Sequence, residues 1–157
     1  MRPQDIFIAN IKDAAVASAA TTKIPASFTV AEAALESAWG ASLLATQGHN
    51  LFGVKADKAW TGDTLSIRTR EFMTGAWVFV NALWRKYPDW LGSISDHAAF
   101  LMTNKRYAAA FSTTNVTDFV TAIAKAGYAT DPLYAQKILS VIRSNNLEVL
   151  DNTSEIV

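Results

Sequence analysis

Thr29–Lys55, TVAEAALESAWGASLLATQGHNLFGVK, changes its periodicity half-way along, and that change sets the fold class. Its first part belongs to a helical pattern through Phe28, Ala31, Ala34, Leu35 and Ala38, whose three- and four-residue steps mark one apolar face. Alanine side chains are short, so neighbouring helices can approach closely, and a central, buried helix is predicted. Pro25 suits its first turn, where the missing N–H has no intrahelical partner. Gly40 weakens its far end. From Gln47 the helical period is lost, and Gly48, Gly53 and Gly62 punctuate the chain. Late in the helix stands Glu36, flanked by Ala33, Ala34, Leu35, Ala38 and Trp39. Apolar surroundings disfavour the charged form of a carboxyl and raise its pKa, which makes Glu36 a candidate general acid near neutral pH. Spacing alone does not separate this reading from an exposed glutamate on an amphipathic helix.

Outward from this stretch, Gln4–Ala20 reads as a helix with Ile8, Ile11, Ala15 and Ala19 on one face. Leu65–Arg70 and Ala76–Val80 read as two short strands around Met73-Thr-Gly75. From Asp89 the helical period returns, with Ile94, Ala98, Leu101 and Met102 sharing a face. Asn115 caps a helix over Val116–Ala126, with Asp118 as reciprocal partner and Gly127 just beyond its end. Asp131-Pro132 starts a last helix with core positions Ala135, Ile138, Leu139 and Ile142, and the tail from Asp151 is expected to fray. The predicted class is α+β: a mainly helical lobe with a small β-hairpin lobe over about residues 50–82, all within one domain spanning 1–157.

A chain of 157 residues with 50% apolar content can bury a core without staples. Zero net charge gives no footprint for nucleic acid, and the polybasic clusters that bind membranes are absent. No run approaches the roughly 18 apolar residues of a membrane span, so no membrane insertion is expected. There are no cysteines, and His49 and His97 are too few for a typical histidine-rich metal site, so no metal and no cofactor are expected. Both histidines read as structural. The N-terminal stretch lacks the basic and continuous apolar regions of a signal peptide. Synthesis in the cytoplasm is therefore expected, with any action outside it depending on release or on partners that export the protein.

Ala34-Leu-Glu-Ser-Ala-Trp-Gly40 followed by Asn50-Leu-Phe-Gly-Val-Lys55 resembles the signature of the glycoside hydrolase family 73 N-acetylglucosaminidases, which are peptidoglycan hydrolases. The likeness continues through Thr69-Arg-Glu71-Phe, Trp84-Arg-Lys-Tyr87, Ser95-Asp-His97, Asn104-Lys-Arg-Tyr107-Ala and Ala126-Gly-Tyr-Ala-Thr-Asp-Pro132 with Tyr134-Ala135, in the family's order over nearly the whole chain. The resemblance implies a lysozyme-like fold with a cleft between the lobes. It also implies hydrolysis of the β-1,4 bond after N-acetylglucosamine in bacterial peptidoglycan, without a cofactor, by an endo-acting enzyme of flagellar-hydrolase, autolysin or phage-lysin type. A monomeric phage-type endolysin is the expected context. A muramidase or lytic transglycosylase on the same fold is the alternative, and a non-catalytic peptidoglycan-binding or assembly module is the alternative from another class.

The resemblance carries over residue by residue. Glu36 matches the catalytic acid, and Glu71 matches a second carboxylate on the β lobe, either base for a water or electrostatic stabiliser. Attack by the sugar's own acetamido group is a third route. Tyr128 matches a cleft tyrosine able to position the acetamido group or a water. Asn50 holds the turn where the lobes meet and is within reach of sugar, while Phe52 reads as core. Trp39 is either the apolar wall beside Glu36 or core. Trp60 is either a sugar-stacking indole or a packed loop anchor. One departure stands out: Glu32, one turn before Glu36, where the family has an uncharged residue more often. A like charge there raises the pKa of Glu36, unless Glu32 points away or pairs with a base such as Lys55. Phe72 for tyrosine removes a hydroxyl, and Lys105 replaces the usual proline.

Overall fold

In a computed structural model that describes residues 1–155, the chain folds into α1 (Pro3–Thr22), α2 (Ala26–Ser37), α3 (Leu43–Gly48), an antiparallel hairpin of β1 (Thr64–Met73) and β2 (Ala76–Arg85), then α4 (Trp90–Thr103), a 3-10 helix (Lys105–Ser112), α5 (Val116–Lys125), α6 (Tyr134–Ser144) and a second 3-10 helix (Leu147–Glu155). The α+β class with a helical lobe and a β-hairpin lobe is as the sequence predicts.

α2 is the helix around which the others pack. Every residue from Ala26 to Ala34 is buried, so this helix is covered all round rather than on one face. α1, α5, α6 and the C-terminal 3-10 helix all pack against it. Phe28 meets Phe119 of α5 edge-on at 5.1 Å. At its N-terminus, Asp151 accepts the Ser27 backbone N–H at 2.9 Å and the Ser27 hydroxyl at 2.5 Å. Asp151, where the tail was expected to begin fraying, is itself tied to the central helix. The part of that expectation concerning residues 156–157 lies outside the described residues.

The C-terminal end of α2 comes earlier than its alanine pattern suggests. The helix stops at Ser37, and Ala38, Trp39 and Gly40 all take positive φ, at 51°, 58° and 81°. Ser37 Oγ donates to Ala33 O at 2.5 Å and accepts from Gly40 N at 2.8 Å, which closes the turn. Gly40 is needed for space as well as for its backbone angle. A Cβ there would lie 2.9 Å from Phe7 Cδ2 and 2.9 Å from Trp90 Cη2. Gly40→Ala is therefore expected to lower the unfolding free energy by about 2 kcal/mol or more, read as a shifted urea midpoint with unchanged slope. α3, which the glycine punctuation hid, follows directly. Ser42 caps it by accepting Ala45 N at 3.1 Å.

The hairpin is longer than predicted, with pairing from Thr64↔Arg85 to Met73↔Ala76 and a two-residue turn at Thr74 and Gly75, both at positive φ. It therefore extends the β lobe to Arg85. Leu65, Ile67, Thr69 and Glu71 are half-buried on one face. On the other, the Arg68 and Arg70 guanidiniums lie 4.4 and 4.8 Å from the Phe79 and Trp77 rings, in the open.

The remaining helices follow the sequence with local changes. Asn115 caps α5 by accepting Asp118 N at 2.8 Å, and its amide donates to the Asp118 carboxylate at 2.9 Å. α6 begins at Tyr134 rather than at Pro132, because Asp131 accepts Leu133 N at 2.8 Å and holds a turn there. Its buried positions are Tyr134, Ile138 and Ile142, with Ala135 and Leu139 half-buried. Phe7 of α1 is buried where Ile8 was expected, and Met102 of α4 is exposed.

Candidate active site

Glu36 is the penultimate residue of α2, two residues before the left-handed turn that starts at Ala38. Non-glycine residues resist that conformation, and the Ser37 hydroxyl, bonded to Ala33 O and Gly40 N, holds the turn closed. Glu36 is solvent-accessible, yet partial burial of its carboxyl raises its pKa. No described hydrogen bond or ion pair holds the carboxyl. It faces the loop that leads into the β lobe: a Cβ placed on Gly53 would lie 3.7 Å from Glu36 Oε2. A side chain at residue 53 would crowd the acid, and φ of 68° there already favours glycine.

Glu32, one turn back, neither points to solvent nor pairs with Lys55. It is 1% exposed. Oε1 accepts the Tyr128 hydroxyl at 2.9 Å, and Oε2 accepts the Tyr134 hydroxyl at 2.5 Å. Burial is the main cause that raises its pKa, to about 7; the charge of Glu36 adds to the rise, and the two tyrosine donors oppose it. Tyr128 also meets His97 Nε2 at 2.8 Å. Its single proton goes to Glu32, so His97 Nε2–H supplies the proton of that second bond, leaving one Tyr128 lone pair free. His97 is 4% exposed, and burial lowers its pKa to about 3, so it is neutral, as a structural histidine. Its ring stacks on Phe52 at 3.9 Å, and Phe52 is core, as expected. Tyr107 and Tyr134 pack on the Tyr128 ring at 5.9 and 5.4 Å.

On the β lobe, Glu71 sits half-buried on β1, its Oε1 3.5 Å from Lys55 Nζ. Lys55 follows Gly53 by two residues and bridges to Trp84 of β2, so one loop carries both the gap beside Glu36 and the partner of Glu71. Asn50 is 1% exposed. Its amide donates to Val54 O and Arg85 O at 2.9 and 2.8 Å, and its oxygen accepts Val54 N at 3.1 Å. It clamps the loop to the hairpin base. Trp60 donates its indole N–H to Asp63 O at 2.8 Å, meets Tyr87 edge-on at 5.6 Å and lies under the Arg85 guanidinium at 4.8 Å, which is the geometry of a loop anchor. Trp39 is half-buried and packs edge-on against Phe7 at 6.0 Å. His49 Nδ1 is 3.0 Å from Tyr87 O.

Tyr134 was singled out by sequence only as part of the resemblance. Its partner lies 102 positions away, a separation that no local period reports. A hollow of about 350 Å³ lined by Val16, Ile24, Phe119, Leu150 and Asp151 lies at the opposite end of α2 and touches none of these residues. Among the described residues no group of three or more His, Asp or Glu is placed to hold a metal, and no helix is long and apolar enough to cross a membrane.

The likeness to known proteins extends over most of the chain. Residues 12–147 match the glucosaminidase family, described as mannosyl-glycoprotein endo-beta-N-acetylglucosaminidase. The peptidoglycan hydrolase FlgJ of Salmonella typhimurium is 38% identical over 141 residues, 87% of this chain and 45% of that protein. The exo-glucosaminidase LytG of Bacillus subtilis is 33% identical over 156 residues, 96% of this chain and 55% of that protein. The chain thus spans about half the length of these curated relatives. The catalytic domain of the autolysin Auto from Listeria monocytogenes superposes with a TM-score of 0.86 at 30% identity, covering 96% of this chain and 89% of that one. With a lysozyme-like fold and a family match over most of its length, the chain belongs to the glucosaminidase family.

Proposed function

We propose that the chain is a glycoside hydrolase that cleaves the β-1,4 bond after N-acetylglucosamine within peptidoglycan glycan strands at the bacterial wall. The observation that carries this reading is Glu36: a part-buried carboxyl with raised pKa, with no hydrogen bond or ion pair among the described residues, at a helix end beside the loop of the β lobe. Such a group delivers a proton to the glycosidic oxygen. The oxocarbenium-like sugar that forms needs negative charge or a nucleophile on its other face, and Glu71 is the residue we assign there, as base for a water or as stabiliser. Tyr128 borders the site, and its spare lone pair suits an acetamido N–H. Asn50 and Trp60 act through the loops they hold, and Trp39 through the turn after the acid. No step in this chemistry calls for a cofactor.

Mass spectrometry of muropeptides after digestion tests the linkage. Reducing N-acetylglucosamine ends are expected; reducing or anhydro-muramic ends would replace this reading with a muramidase or transglycosylase. The name of the LytG relative favours a second mode, release of sugars from chain ends. A fall in strand length before small products accumulate supports internal cleavage, and small products from the first time point support the exo mode.

A further inference from the structure

Glu32 is a buried acid that forms no ion pair among the described residues. The groups that act on it are Glu36 on its own helix, Tyr134 from α6 and Tyr128 from the turn after α5. A carboxylate taken out of water without a counter-charge persists only where donors take up its charge, and here two tyrosine hydroxyls do so, one on each oxygen. The contacts continue from Tyr128 to His97, from His97 to the stacked Phe52, and along the chain to Gly53, whose Cα faces the Glu36 carboxyl. They form a closed circuit that starts and ends on α2, one turn apart, and passes through the loop into the β lobe.

We propose that Glu32 is a positioning residue for the glycosidase reaction: it pins the Tyr128 ring at the edge of the site, and its charge state is coupled to that of Glu36. The inference rests on Glu36 being the acid. With Glu32 ionised, both tyrosines donate to it and His97 donates to Tyr128. With Glu32 protonated, its one O–H turns toward a tyrosine oxygen, and the other hydroxyl loses its acceptor or, for Tyr128, turns to His97. One ionisation thus changes both the electrostatics at Glu36 and the orientation of the Tyr128 hydroxyl.

The other charged groups nearby are already engaged. On α4, Asp96 accepts Arg85 Nη1 at 2.9 Å and the Tyr87 hydroxyl at 2.5 Å, and His97 is neutral. On the 3-10 helix, Arg106 lies 5.9 Å from the Tyr107 ring, and that ring packs on Tyr128. On the loop, Lys55 pairs with Glu71. None of these is ion-paired with Glu32 among the described residues, so Glu36 is the charge to which it responds.

Two measurements test the proposal. In Glu32→Gln, the alkaline limb of the kcat/KM profile on glycan strands is expected to become shallower above about pH 7, because the second ionisation beside the acid is gone. KM is expected to rise more than kcat falls, because Tyr128 is no longer pinned. An unchanged limb with KM and kcat at parent values overturns the proposal. The second measurement needs no activity and no change at the buried position. In Glu36→Gln, carbon-13 NMR of the side-chain carboxyls is expected to show Glu32 titrating at lower pH than in the parent. An unmoved Glu32 midpoint overturns the coupling even if Glu32→Gln does not fold. If Glu36→Gln still clears cell walls, it is the acid assignment that fails, and the NMR result reads the coupling independently.

Discussion

Glu36→Gln is expected to lower kcat/KM on peptidoglycan by about 10²–10⁴-fold, the usual contribution of a positioned general acid. The amide keeps the shape of the side chain and removes the transferable proton. Because no described hydrogen bond or ion pair holds Glu36, the substitution has little to break in the fold. The thermal midpoint is expected to stay within about 2 °C of the parent. The pH dependence has a definite sign. Partial burial raises the Glu36 pKa, so the protonated, active form persists to higher pH than it would for a free glutamate, and activity falls on the alkaline side as Glu36 ionises. Initial rates on purified glycan strands, with circular dichroism on the same samples, decide the matter. Parent-like rates from a folded Glu36→Gln protein would remove Glu36 from the mechanism.

The second large effect is on stability. Glu32 has an ordinary value of 4.5 and a folded value of about 7, so the native state holds its proton more tightly than the unfolded chain does. The stability this contributes is fully present below about pH 4.5 and is lost as pH rises through about 7. A difference of roughly 2.5 units corresponds to about 3 kcal/mol. His97 works in the opposite direction. Burial lowers it from 6.5 to about 3, so its contribution is full above 6.5 and is lost as pH falls toward 3. Between 4.5 and 6.5 the two trends offset each other in the parent, and a simple stability profile hides both. Comparison with Glu32→Gln isolates the first. From pH 4.5 to pH 8 the parent is expected to lose about 3 kcal/mol relative to the variant in urea unfolding. A parent-minus-variant difference that is flat across that range would show that Glu32 does not hold its proton in the folded state.

Much of this molecule was legible because its signals are local. The alanine steps around Phe28 and Ala34 marked the buried helix, since a helix shows its face every three or four residues. The Met73-Thr-Gly75 punctuation marked the hairpin, since its tight turn needs two positive φ angles. Asn115 and Gly127 marked the ends of α5 by the backbone groups they satisfy. The sequence erred where a non-local contact overrode a local habit. Asp151, read as tail, is held by Ser27 across the fold. α2 stops at Ser37 because Ser37 closes the turn and because Phe7 and Trp90 leave room only for a glycine at position 40.

The candidate site divides along the same line. That Glu36 stands late in a helix, with a second acid one turn before it, followed from the order of residues alone, because helical spacing fixes which side chains share a face. What Glu32 does was not legible, because its partners Tyr128 and Tyr134 lie about a hundred positions away and only packing brings them together. By its periodicity the sequence determined the α+β plan and placed Glu36 at a helix end. Only the tertiary structure decided that Glu32 is buried between two tyrosines, that Lys55 serves Glu71 instead, and that Asn50 and Trp60 spend their hydrogen bonds on the loops. Burial and long-range hydrogen bonding, which set charge and orientation, exist only once the chain has closed on itself.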